Sequence, residues 1–307
     1  MARFRAVVIA AGAVLVSGEL AGAADLPPAP RLPPVPVVED FSGWYLRGDI
    51  GFGVAASAPN LQNDPDPIAN GVSSGFLSPA AYESFNNTSV SPSGMFDFGV
   101  GYRFNNWFRM DGTLEYRGGA ELQSLYTLND PANPYFGGPL QYADFFRADI
   151  SSIVGLVNAY ADLGNYWGVT PFVGAGAGFA YNSVSGFTEQ GFGYASFGPL
   201  GASGSYLDNG GKTAFAWALM AGLDFNVTPN LKLELGYRYL NYGTFTTRGS
   251  NCLAGASAVA FSTANCTGGV PNYISSHNAL ASNDFRIGLI WMLGGPVAAP
   301  APVVARY

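Results

Sequence analysis

Met95–Gly118 reads MFDFGVGYRFNNWFRMDGTLEYRG. Taken two residues at a time, Phe96, Phe98, Val100, Tyr102 and Phe104 form one row, and Asp97, Gly99, Gly101 and Arg103 the other. After Asn105-Asn106-Trp107 the alternation resumes: Phe108, Met110, Gly112, Leu114 and Tyr116 against Arg109, Asp111, Thr113, Glu115 and Arg117. A period of two is a strand signal. For Phe104 and Phe108 to share a face they must pair across a three-residue turn, whose left-handed position Asn tolerates. The hairpin has an aromatic face and a face that mixes glycines with charges of both signs. That polarity fits a membrane barrel, apolar outside and polar inside.

Composition supports this reading. The chain has 307 residues, of which only 11% are charged, against about 25% in soluble domains. No apolar run is long enough for a transmembrane helix. The net charge of −7 and the lack of a Lys/Arg cluster argue against nucleic acid as a partner. Arg3 and Arg5, the apolar stretch Ala6–Gly18 and the small residues Ala21–Ala24 make a secretory signal, residues 1–24. Its removal takes away two Arg and one Glu, leaving −8. In an exported chain Cys252 and Cys266 point to one disulfide, with two free thiols as the alternative.

Residues 25–42 begin as a Pro-rich, extended periplasmic lead. From Gly43 to Leu293 eight alternating segments follow. They lie at 43–55, the two arms of the opening hairpin, 144–163, 171–182, 212–227, 231–239 and 284–293. Their connections alternate long and short. Residues 56–92, 119–143, 184–211 and 247–282 are long and rich in Pro, Gly, Ser and Asn. Asn105–Trp107, 164–170 and Thr228-Pro229-Asn230 are short. An all-β, eight-stranded antiparallel transmembrane barrel accounts for this, with four long extracellular loops and short periplasmic turns. Residues 294–307 form a Pro/Ala-rich periplasmic tail. Trp44, Trp107, Trp167 and Trp291 fall at periplasmic strand ends, where interfacial aromatics belong. Trp217, with Tyr116, Phe146, Tyr181, Phe215, Tyr239 and Phe285, marks the outer girdle.

The lead AADLPPAP, the first strand GWYLRGDIGFG, and then VGYRFNNWFRMDGTLEYR, TPFVGAGAGFAY, LELGYRY and NDFRIGLIWML carry a family resemblance. Over roughly residues 25–293 the chain resembles the eight-stranded outer-membrane barrels of alphaproteobacteria. That surface-antigen and porin-like family is related in architecture to OmpA-type barrels. The resemblance implies outer-membrane localisation, contact with lipid and lipopolysaccharide, insertion by the barrel-assembly machinery, and loops open to an extracellular ligand. Such families usually end on the last strand with an aromatic residue, whereas here the chain continues from Leu293 to Tyr307.

One constellation of charge stands out. Arg47, Arg103, Arg109, Arg117, Arg147, Lys232, Arg238 and Arg286 fall on inward positions, and so do Asp49, Asp97, Asp111, Glu115, Asp149, Asp224, Glu234 and Asp284. They sum to zero. The interior of an eight-stranded barrel is just wide enough for side chains, so the pattern predicts a lumen plugged by paired charge. The hairpin register sets Arg103 opposite Arg109 and Asp97 opposite Glu115. Like charges across a ladder are destabilising, so diagonal partners are expected, Arg103 to Asp111 and Asp97 to Arg117.

Other motifs point to no chemistry. Gly174, Gly176 and Gly178 lack the helix that a phosphate loop needs and instead leave lumen space for bulky neighbours. His277, the single histidine, lies beside Ser275 and Ser276, but nothing places a nucleophile or an orienting acid around it, and one histidine makes a poor metal site. Asp64 and Asp66, split by prolines, read as a solvated loop. No cofactor is implied. The expectation is a structural, surface-exposed barrel with no enzyme activity. The alternatives are a passive porin and a lipid-modifying enzyme built on His277.

Overall fold

A computed structural model describes residues 43–64, 66–252 and 273–293. The signal, the lead, the tail and Cys266 of the expected Cys252–Cys266 bridge lie outside this set. Among the described residues the chain forms β1 (Gly43–Ala55), β2 (Leu61–Asp64), α1 (Pro67–Ser73), β3 (Tyr82–Val90), β4 (Ser93–Arg103) and β5 (Phe108–Asn133). There follow β6 (Gly138–Asp162), β7 (Val169–Ala195), β8 (Gly198–Asp208) and β9 (Gly210–Thr228). The last are β10 (Leu231–Gly243), β11 (Arg248–Cys252), β12 (Tyr273–Ser276) and β13 (Leu280–Met292).

Strands β1, β4, β5, β6, β7, β9, β10 and β13 pair in an antiparallel ring, closed where β7 meets β9. This is the eight-stranded barrel expected. β4 pairs β5 in the register set by the alternation, with Arg103 opposite Arg109 and Asp97 opposite Glu115. Its turn is tied by the Asn105 side chain, which accepts from the backbone N–H of Trp107 at 3.0 Å and of Phe108 at 2.8 Å. At the next short turn Trp167 (φ 55°) and Gly168 (φ 89°) are both left-handed. Primed two-residue hairpins require this conformation.

The long connections lie at the other end, as expected, but they are folded rather than loose. β5 continues past the barrel to Asn133, and β6 returns from Gly138. Above Gly118-Gly119, where the register shifts, β5 leaves β4 and pairs β3 instead. β7 pairs β9 as far as Val184, and from Thr188 it pairs β8. The result is a second sheet, β3-β5-β6-β7-β8-β11, continuous with the barrel wall. α1 and the β2–β12 pair also belong to this region. Their Leu61, Ile68, Val72 and Ile274 pack in one apolar cluster with Leu122, Tyr126, Leu128, Phe146 and Phe187 of the sheet. Asp66, read from sequence as solvated loop, caps α1 by accepting from the N–H of Ile68 at 2.8 Å and of Ala69 at 3.1 Å.

Candidate functional site

In the barrel proper, alternation turns the charged row inward and the aromatic row outward. Phe96, Phe98, Ile50 and Phe285 are at least half exposed, whereas Arg47, Asp49, Asp111 and Glu234 are buried. Arg47 is the hub of the lumen. Its guanidinium holds Asp49 at 2.9 Å, Asp111 at 3.0 Å and Glu234 at 2.7 Å, and it donates to the Tyr160 hydroxyl at 2.9 Å. These partners come from β1, β5, β6 and β10. Asp111 also accepts from Tyr45 at 3.1 Å and from Asn158 at 2.8 Å. Gly101 lies where a Cβ would collide with the Tyr45 ring, so a glycine is required for that ring to enter the lumen. Gly174 stands likewise against Tyr160, and Gly176 against Asn158.

Below the hub, Arg109 meets Asp162 at 3.2 Å, Asp224 at 3.3 Å and Glu234 at 3.4 Å, and Arg103 meets Asp162 at 3.3 Å. Lys232 faces the same group, beside Arg103, Asp224 and Asp162. Beside the hub, Arg286 joins Asp49 at 2.9 Å and Asp97 at 2.6 Å. Above it, Arg238 holds Glu115 at 2.5 Å and Asp284 at 2.7 Å, while Arg117 holds Asp284 at 2.6 Å and lies over the Tyr242 ring. Ions out of water are stable only when so compensated.

Three expectations are corrected here. Arg147 and Asp149 do not enter the lumen. Both face outward on β6 above the barrel, where Arg147 is 68% exposed and meets Glu121 at 3.7 Å. In the same segment Phe146, expected in the outer girdle, is buried inside with Ala148 and Ile150. The reason is the change of solvent. Beyond the membrane a sheet buries its apolar face and wets its polar one. The diagonal partners are also replaced. Arg103 turns to Asp162 and Asp97 to Arg286, across the lumen rather than along the hairpin. Asp162 was missed by sequence reading, although it continues the inward row Ser152, Val154, Leu156, Asn158 and Tyr160. Exchanging Arg147 and Asp149 for Asp162 leaves lumen acids one ahead of bases.

The tryptophans take their expected ends. Trp44 packs edge-on to Tyr102 at 5.3 Å, Tyr102 meets Phe104 at 5.0 Å, and Trp107 meets Phe108 at 5.5 Å. Trp167 and Trp291 project outward at the same rim. Trp217 meets Tyr239 at 5.5 Å on the outer side.

The extracellular sheet holds its own acids on its inner face. Tyr126 donates to Glu83 at 2.8 Å. Burial pushes the Tyr126 hydroxyl up, and Glu83 adds to the shift. Asp144 is pushed up to about 9 by burial and by neighbouring Glu189. Asp130 behaves oppositely. Burial opposes its ionisation, yet hydrogen bonds from Ser78 and Asn133 hold the carboxyl below its usual value. His277 is exposed, and its backbone N–H donates to Asn60 at 2.7 Å. Ser276 is buried and accepts from the Phe245 N–H at 3.0 Å. The two are not arranged as nucleophile and base.

Comparison with known proteins places this architecture. The chain belongs to the outer membrane protein β-barrel domain family, whose model matches residues 20–264. It is therefore a protein of the bacterial outer membrane, with the second sheet on the cell surface. An uncharacterized Brucella suis protein is 32% identical over 241 residues, covering 74% of this chain and 80% of that protein. The outer membrane protein PagN of Salmonella typhimurium is 25% identical over 207 residues, covering 64% and 73%. The outer membrane protein OprG of Pseudomonas aeruginosa is a structural neighbour at 12% identity, with TM-score 0.43, covering 84% of this chain and 97% of OprG.

Proposed function

We propose that the protein is a structural, surface-displayed barrel, closed to bulk flow, that carries its extracellular sheet for envelope integrity or surface interaction. The observation that supports this is the lumen. Arg47, Arg109, Arg117 and Arg238 each bridge acids on different strands while almost wholly buried. Such a network fills the width of an eight-stranded barrel. On this reading it acts by position and binding rather than by catalysis; among the described residues His277 and Ser276 are not arranged as the base and nucleophile of a hydrolase. Insertion through the barrel-assembly machinery belongs to the same reading. The test is conductance of the folded protein in planar bilayers. The expected result is no large, steady current. Stable porin-sized currents from the monomer would replace this reading with the porin.

A further inference from the structure

The outer face of the extracellular sheet differs from an ordinary solvated face. On it stand Phe145, Phe192 and Tyr194, 54%, 57% and 54% exposed. Phe192 and Tyr194 are two residues apart on β7. Phe145 lies across from Gln190 on β6, diagonal to Phe192. Gln141 lies across from Tyr194. Among the described residues none of the three rings packs on another ring, and neither amide side chain has a hydrogen-bond partner. Two residues below Phe145 on the same face, Arg147 pairs with Glu121. Exposed apolar area of this kind marks a contact surface. Rings with free amides and no charge match a neutral sugar. The C–H face of a pyranose packs on an aromatic ring, and its hydroxyls both donate to and accept from an amide.

Position selects the source. β5, β6 and β7 present this same side to lipid lower down. The shift at Gly118-Gly119 and the left-handed Gly186 lie between the two stretches and keep them on one side. Phe145 pairs Leu125, nine residues beyond Tyr116 of the outer girdle. At about 3.3 Å per residue and a tilt of about 40°, the rings stand roughly 20–35 Å above that girdle. Whatever surrounds the barrel in the membrane plane at that height faces them. We propose that this face docks the neutral sugars of the surrounding lipopolysaccharide. The inference rests on the sheet standing outside the outer membrane.

The experiment uses the full-length folded protein and two probes. One is the saccharide released from smooth lipopolysaccharide by mild acid, and the other is the lipid A left behind. Calorimetry is expected to show saccharide binding that weakens at least tenfold in the Phe145→Ser/Phe192→Ser/Tyr194→Ser variant and is unchanged in Arg147→Ala. Gln141→Ala/Gln190→Ala keeps the rings and is expected to weaken binding at least threefold, which covers misfolding of the triple variant. Binding to lipid A alone, no saccharide binding, or equal binding by the ring variant would overturn the proposal. So would a dimer that the ring variant dissolves, because it would assign the face to a second copy. Tyr135→Cys, in a background lacking Cys252 and Cys266, separates the two failures. If it resists labelling on intact cells, the location is wrong. If it labels while saccharide does not bind, only the docking is wrong.

Discussion

β6 crosses two environments, and its even-numbered residues point inward in both. In the barrel those positions include Asn158, Tyr160 and Asp162, packed against charge, while Ile153 and Val157 face lipid. Above the girdle the inward positions are Tyr142, Asp144, Phe146, Ala148 and Ile150, and the outward ones include Phe145, Arg147 and Asp149. One strand thus carries opposite polarity at its two ends without changing phase. The lower region is held by lipid outside and ion pairs inside, and the upper by a mainly apolar core that also encloses Asp130, Asp144 and Glu189. The two regions are expected to fail separately.

The largest effect is expected at the hub. Arg47→Ala takes the guanidinium from Asp111, leaves Asp49 to Arg286 and Glu234 to Arg109, and should cost about 3–5 kcal/mol. It should appear as a lower temperature for loss of the compact gel band of the folded barrel. Arg103→Ala, at the rim where Arg103 meets Asp162 and its side chain is less buried than that of Arg47, should cost less. Asp97→Asn should be milder still, because lumen acids outnumber bases and Arg286 keeps Asp49.

Phe146→Ala tests the other region. It should cost about 3–5 kcal/mol, confined to the extracellular sheet. Protease should then cut within residues 118–208 on intact cells while the compact gel band survives. Joint loss of both would show one cooperative unit.

A smaller effect separates the regions by pH. Asp144 is raised from its usual 3.8 to about 9 when folded. Its stabilisation is therefore complete below about pH 4 and is lost as pH rises through about 9. Hydrogen exchange, corrected for intrinsic rates, should show the upper sheet loosening across that window, with the barrel strands unaffected. Asp144→Asn should flatten the response. The smallest effect is Arg147→Ala, an exposed pair worth under about 1 kcal/mol. A large loss of stability there would return Arg147 to the lumen.

These two regions also explain what was legible in the sequence. The hairpin register and the inward charges from Arg47 to Arg286 followed from period-two alternation, because one rule, apolar toward lipid, holds across the membrane. Carrying that rule past Tyr116 put Phe146 in the girdle and Arg147 and Asp149 in the lumen. The alternation of Leu122, Ser124, Tyr126 and Leu128 with Gln123, Thr127 and Asn129 was visible too. Its Gly- and Asn-rich surroundings read as loop, although strands continue through them. The partners of Arg103 and Asp97 were not legible, since each lies two strands away: Asp162 on β6 beyond β5, and Arg286 on β13, which ring closure sets beside β1.

The inversion itself is tested most directly by a cysteine scan of β6 from Phe145 to Tyr160, in the background lacking native cysteines, on intact cells. The account predicts that a water-soluble thiol reagent labels positions 145, 147 and 149. Positions 153 and 157 should react only with a lipid-phase probe, and even-numbered positions with neither. Water-phase labelling at 146, 148 and 150 with protection at 145, 147 and 149 would contradict it.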